Sequence, residues 1–509
     1  MTNHVAPRAT RREWTGLAVL ALPTLLLSLD VSVLYLALPS LSADLGADST
    51  EQLWILDIYS FLLAGFLVTM GTLGDRIGRR KLLLIGGAAF TVASVLAAYS
   101  TSPEMLIVSR ALLGIAGATL MPSTMALIRN LFHDPAQLAQ AIGLWFSCFM
   151  VGMLIGPVVG GLLLERFWWG SAFLLGVPVM VLLLVAGPLL LPEYRDPSAG
   201  KLDLASVGLS LATILPVIWG LKEFARDGWS AVPLVAMVAG VLIGIVFVRR
   251  QQRLEHPLLD LTLFRTARFS AALGISIAAG VVMAGISLQA ALFLQVVEGL
   301  SPFRAGLWLL PQSVAMILGL SLAPRIAQRL PTSTTAAIGL ALAALGLLMV
   351  TVGGLSFVVA GLTVTSFGMG MPMALTMNLM MSAAPPERAG SVASLAETSG
   401  EGGIALGVAL LGSLGTVVYR GQLDVPLSVP GDAAQQARES VGSAVGLAHQ
   451  LSGSVGAELA AAAKSAFTSG LNVVSLVGAA AFVGCALVAA VAFREAPAEV
   501  AEDKVTEPV

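Results

Sequence analysis

Five ionisable residues stand inside runs of apolar sequence: Asp30, Asp57, Arg110, Glu397 and Glu401. A charged side chain at the centre of a membrane helix costs about 2.5 kcal/mol or more, so such groups usually face a cavity or pair with one another. The rival reading is paired, silent polar glue. Depth follows from helical rise. With the first run crossing outward, Asp30 lies roughly 12 Å short of its outer end, and with the fourth crossing inward, Arg110 lies roughly 9 Å below the outer surface. The two are therefore expected to meet. Asp57 is expected about one turn below the outer end of the second run. Glu397 and Glu401 stand at i and i+4, on one helical face, between the inner end of their run and the midplane. Two like charges so placed cannot both ionise easily in a low dielectric, whereas a carboxylate beside an arginine stays ionised. Carboxylates that differ in their hold on a proton are what a proton-coupled carrier of cations requires.

The elements that must position these groups are membrane spans. The chain has 509 residues, 57% hydrophobic and 11% charged, with a mean hydropathy of +0.88, whereas about a quarter of a soluble chain is charged. A net charge of −2 and the lack of a basic patch outside short loops exclude a nucleic-acid role. Cys148 and Cys485 lie inside apolar runs and suggest neither a disulfide framework nor a metal site. Arginine outnumbers lysine and alanine is abundant, a usage that points to a GC-rich bacterial genome. The first apolar run is too long for a signal peptide and is read as a retained helix.

Windows of about 20 apolar residues occur fourteen times, the first near 15–38 and the last near 471–493. The expected fold is an all-α integral membrane protein of fourteen helices. An even count puts both termini on one side. With that side cytoplasmic, most of the 28 Lys and Arg residues fall inside, which supports both count and orientation. Arg325 and Arg329 repeat the spacing of Arg76 and Arg80, so spans one to six (15–191) and nine to fourteen (269–493) read as two six-helix halves. Such repeats place the substrate site at their interface. Spans seven and eight (204–248) are inserted between them. Lys222, Glu223, Arg226 and Asp227 cluster in the outer connection, so the inserted pair carries no mid-span charge and is expected to pack beside the halves, away from the cavity. Residues 1–14 are expected to form a cytoplasmic N-terminus and 494–509 an acidic, disordered tail. The long outer loop 421–470 is alanine-rich and is expected to form a short helical hairpin.

Gly71 to Lys81 reads GTLGDRIGRRK, with Asp75, Arg76, Arg79, Arg80 and Lys81 in seven residues between two spans. Any basic loop would serve as a topology anchor, but the spacing says more. Gly71, Leu73, Asp75, Arg76, Gly78, Arg79, Arg80 and Lys81 resemble the signature between helices 2 and 3 of the major facilitator superfamily. VSRALLGIAGA (Val108–Ala118) resembles its fourth-helix signature, with Arg110 as the arginine and Gly114 as the glycine. GMLIGPVVGG (Gly152–Gly161) resembles the antiporter signature of helix 5. There Gly152, Gly156 and Gly160 make a small-residue stripe for close helix contact, with Pro157 and Gly161 beside it. LDVSVLYLALPSL (Leu29–Leu41) and GLSPFRAGLWLLP (Gly299–Pro311) resemble segments of the fourteen-helix drug:proton antiporters.

That resemblance implies a proton-coupled multidrug efflux antiporter of a bacterial cytoplasmic membrane, exporting amphiphilic, mainly cationic compounds by alternating access. It implies no enzyme activity and no cofactor, the proton gradient being the driving force. The expected partners are amphiphilic drugs, protons and the lipid bilayer, with the chain working as a monomer. Asp30, Asp57, Arg110, Glu397 and Glu401 are implied to handle protons or cationic substrate. Gly71, Asp75, Arg76, Gly78, Arg79 and Arg80 are implied to form a conformational latch, with Asp75 meeting Arg79 or Arg80 and the start of the thirteenth span near Arg388. Some members carry an acid in the tenth span; here the region near Met316 has none, a departure that bears on divalent-cation substrates. Tyr59, Trp145, Phe149 and Trp308 offer aromatic faces to organic cations. Met369, Met371, Met373, Met377, Met380 and Met381 form either an adaptable wall or lipid-facing filler. The rival cargo is a specific lipid, siderophore or self-made antibiotic. A membrane enzyme or sensor is the other alternative, against which stands the lack of a P-loop or an HExxH pair.

Overall fold

The computed structural model describes residues 9–195, 203–227, 230–254, 264, 266–382, 389–426, 429–451 and 454–494. Helices account for nearly all of them. They are α1 (Arg11–Leu45), α2 (Ser49–Ile77), α3 (Arg79–Ala98), α4 (Pro103–Leu131), α5 (Pro135–Arg166), the short α6 (Ser171–Leu174), α7 (Gly176–Leu190), α8 (Leu204–Asp227) and α9 (Ala231–Gln251). The second part holds α10 (Ala267–Leu292, ending in a π-turn to Val297), α11 (Pro302–Ala327), α12 (Thr332–Val350), α13 (Leu355–Ser382), α14 (Ala389–Gln422), α15 (Gly431–Glu439), α16 (Val441–Gln450) and α17 (Ser454–Ala492). Among the described residues thirteen helices are long and apolar enough to cross a membrane, and α2, bent by 52° between Leu67 and Thr69, makes fourteen.

Local chemistry sets the helix ends. Thr10 with Glu13 and Asp48 with Glu51 form capping boxes, which satisfy backbone donors that a helix start leaves unpaired. Ser102 and Ser301 cap α4 and α11, each followed by a proline at the first helical position, where its missing N–H costs nothing. Gly78 adopts φ +115° between α2 and α3, a conformation closed to residues with a Cβ, and so allows the abrupt turn of the charged hairpin.

Helices α1–α7 enclose one apolar core and α10–α17 another. The halves meet along a seam where α2 packs on α14, α5 on α11 and α1 on α10. The inserted pair packs tightly within itself, yet its members behave differently. Helix α9 exposes Val232, Val235, Val238, Val241, Leu242 and Ile245, as a helix facing hydrocarbon should. Helix α8 instead wedges into the seam: Ile218 is buried with Phe61 of α2 and Ala405 and Ala409 of α14. The expectation that both inserted helices lie aside therefore fails for α8. At the other end of the pair, Arg250 of α9 reaches Asp203 at 2.9 Å and Ser206 at 3.1 Å.

Helix also fills most of the 421–470 segment. Ser440 caps α16 by accepting from the Ser443 N–H at 3.1 Å, which splits the first alanine-rich stretch into α15 and α16. The second stretch has no helix-stopping residue before the membrane span, and the two run on as the single 39-residue α17. The expected hairpin is thus a pair of short helices leaning on an extended final helix. The Tyr419 hydroxyl ties α15 down by donating to the Ala437 carbonyl at 2.8 Å. Beneath this cap, Leu38, Leu53, Leu292 and Tyr419 line a cleft of about 290 Å³. The tail after Arg494 lies outside the described residues.

Candidate functional site

Helix α2 is the shared support of the charged groups. On one side it meets α4. Gly114 lies against the Tyr59 carbonyl so closely that a Cβ there would strike it, and this approach brings Arg110, one turn earlier on α4, into reach of the α2 backbone. The Arg110 Nε donates to the Ile55 carbonyl at 3.1 Å. Its guanidinium stands 4.4 Å from the Tyr59 ring centroid and its Nη1 lies 2.7 Å from Asp30 Oδ2 on α1. Arg110 is 1% exposed and Asp30 11%. The meeting of Asp30 and Arg110 expected from their depths is found. A buried arginine needs this much: a counter-charge, a carbonyl and an aromatic face.

On another side α2 meets α8, and here the sequence reading misses a partner. Lys222 is not in a solvated connection, because α8 continues to Asp227. Its ammonium lies 2.7 Å from Asp57 Oδ2, with both side chains fully buried, and 3.8 Å from the ring centroid of Trp54. Among the described residues the ammonium has no polar partner besides Asp57. The ammonium is held by this ion pair and by the Trp54 face. A hydropathy window stops at the last apolar residue, Leu221, so it could not reveal the role of the lysine that follows it. The usable signal was the i, i+4 spacing of Ile218 and Lys222, which gives them one face.

On its third side α2 meets α14. Glu401 faces the Ser60 hydroxyl, its Oε2 is buried with no hydrogen-bond partner among the described residues, and it is close enough to Tyr35 and Tyr59 to act on them electrostatically. Glu397, one turn earlier, feels the Glu401 charge. Trp54, Asp57, Ser60 and Tyr59 on α2 thus link the Asp30–Arg110 pair, the Asp57–Lys222 pair and the glutamates into one buried constellation.

The charged hairpin makes one of the contacts expected of it. Asp75 accepts from Arg79 Nε at 2.7 Å, and Gly71 approaches Pro122 of α4. The Arg80 Nη1 donates to the Leu191 carbonyl at 2.9 Å and its backbone N–H to Glu193 at 3.1 Å. The segment after α7 therefore clasps the hairpin, a partner the sequence reading lacks. Arg76 is exposed. Arg388, the expected contact across the seam, lies outside the described residues.

The glycines of α5 divide their work. A Cβ on Gly160 would lie 2.6 Å from Val33 of α1, and Gly152 abuts Ser28 of α1. Gly161 faces the other half, where a Cβ would lie 2.5 Å from the Pro302 carbonyl of α11, and Gly306 of α11 presses on the Pro157 carbonyl. Gly156 is buried beside them. The aromatic and methionine candidates do not converge. Tyr59 belongs to the arginine site, and Trp145 is buried in the core of the first half. Phe149 stacks on Phe146, Trp308 and Met377 are exposed, and Met369, Met371 and Met380 are buried.

Comparison with known proteins places the chain. Residues 20–408 match the model of the Major Facilitator Superfamily. The multidrug efflux pump LfrA of Mycolicibacterium smegmatis is 42% identical over 96% of this chain and 97% of its own. The methyl viologen resistance protein SmvA of Salmonella typhimurium is 32% identical over 90% and 93%. Among solved structures, a bacterial homologue of the lysosomal transporter Spinster, inward-facing and unoccupied, superposes with a TM-score of 0.65 at 15% identity, covering 96% of this chain and all of that one.

Proposed function

Since the chain belongs to the Major Facilitator Superfamily, we propose that it exports amphiphilic, mainly cationic compounds by alternating access, in exchange for protons moving inward. The observation that carries the reading is the buried constellation on α2, where charged groups from both halves and from α8 converge. Buried acids that differ in their counter-charges suit an exchange of one cation for another. Asp30 is held by Arg110, so its role in this reading is local order and relay. Among the described residues no cation pairs with Glu401, and its carboxylate binds either a proton or a positive charge of the substrate. The similarity to LfrA, and to a protein named for resistance to the dication methyl viologen, supports organic cations as cargo.

In this reading both termini are cytoplasmic and the Asp75 hairpin closes the cytoplasmic mouth. The experiment is efflux of ethidium and of a quaternary ammonium from bacterial membrane vesicles with an imposed pH gradient. Transport that follows the gradient supports the proposal. Transport that requires ATP, or transport of no organic cation, overturns it and leaves the rival cargo of a specific lipid, siderophore or self-made antibiotic.

A further inference from the structure

The contacts of Lys222 have the form of ligand contacts. An ordinary buried lysine is held by hydrogen bonds, because its ammonium carries three donors that cost dearly when left unmade. Lys222 has a single polar partner for its three donors among the described residues, the Asp57 carboxylate. It is held by the Asp57 charge at 2.7 Å and the Trp54 face at 3.8 Å. An anion beside an aromatic face is how proteins hold cations that lack N–H groups. The pocket therefore suits a quaternary ammonium or phosphonium better than it suits the lysine inside it.

The position of α8 adds a second observation. Through Ile218 it touches α2 and α14 together, with Leu215 and Leu406 beside it, and Leu211 fills the space at Gly65. Any displacement of α14 relative to α2 must then disturb α8, and Lys222 with it. We propose that Lys222 is a tethered competitor of the substrate: its ammonium occupies the Trp54–Asp57 site when no substrate is bound, leaves when a donor-free organic cation enters, and returns to help expel that cation. This rests on the export reading above and adds to it a built-in occupant carried by an inserted helix. A tethered group competes at a high effective concentration, so it weakens the apparent affinity of a free ligand by the fraction of time it fills the site.

The test is binding of radiolabelled tetraphenylphosphonium to the purified full-length protein by equilibrium dialysis. Lys222→Met should bind it about tenfold tighter than the wild type, and Asp57→Asn in the Lys222→Met background should abolish the gain. Unchanged or weaker binding by a monodisperse Lys222→Met overturns the proposal. Should that variant fail to fold, the unmodified protein decides. Acetylation of Lys222 by acetic anhydride, read by mass spectrometry, should rise several-fold when tetraphenylphosphonium saturates the protein. A rate that stays level or falls overturns the proposal. Vesicle efflux, measured in parallel on the wild type, separates failure of this inference from failure of the export reading.

Discussion

Replacing Asp30 by asparagine tests whether the arginine site works as one unit. The substitution preserves shape and leaves a carbonyl for Arg110 to donate to, but removes the counter-charge 2.7 Å away. Breaking a buried pair by removing one partner costs about 3–5 kcal/mol. The asparagine carbonyl, the Ile55 carbonyl and the Tyr59 face remain, so the lower end, about 3 kcal/mol, is expected. At about 2–4 °C per kcal/mol for a unit the size of the first half, the midpoint of thermal unfolding should fall by about 6–12 °C. Asp30→Leu with Arg110→Met removes both charges and should regain most of that loss, since apolar replacements of buried pairs are often neutral. Transport should not return, and every substrate should be affected alike. The assays are unfolding of the purified protein in detergent and efflux from vesicles. A single variant within about 1 °C of the wild type, or a double variant as unstable as the single one, would refute the reasoning.

Glu401→Gln should abolish the pH dependence of cationic dye binding while neutral substrates still bind; titrations of dye binding against pH check this, and a wild-type profile would reassign the role. Gly161→Val forces a side chain into the Pro302 carbonyl, and overpacking of this kind typically costs about 1–3 kcal/mol; transport should fall far more than the yield of folded protein, as flux per purified molecule will show. Asp75→Asn removes the charge opposite Arg79 and should shift cysteine accessibility toward the inward-open form, with identical labelling on both faces arguing against a latch. Burial raises the Asp203 carboxyl but its bonds from Ser206 and Arg250 outweigh this and hold it below the usual range. Its support of the α8–α9 pair is therefore present above the ordinary value of 3.8 and is lost as pH falls through the lowered one. Protection of the first-turn amides of α8 against hydrogen exchange, relative to their intrinsic rates, should hold at neutral pH and fall only in strong acid, and Asp203→Asn should lower it at neutral pH.

What could be read from the sequence was whatever depends on one helix at a time. Asp30 and Arg110 could be matched because rise per residue fixes depth, and depth limits which groups on neighbouring helices can meet. The glycines of α5 could be read as contact points because a missing Cβ has one meaning inside a straight apolar helix. Lys222 escaped because its partner lies far away in sequence, and no periodicity within α8 says which helix it faces. Trp145, Phe149, Trp308 and Met377 failed to gather for a related reason. Their types suit a cavity, but rotation about the helix axis decides whether each meets core, seam or lipid. The clasp of Glu193 on Arg80 depends on where a short segment returns, which hydropathy does not report.

The two halves touch at α5 and α11 through main-chain atoms, with Gly161 against Pro302 and Gly306 against Pro157. A joint of this kind has no rotamers to reset as it turns, so its travel is set by main-chain shape and not by the chemistry of the side chains around it. Mutations in the walls of the seam can then alter which molecules are carried while leaving the turning motion intact. Substrate range and mechanical action become separately heritable, and a lineage can retune the first without rebuilding the second.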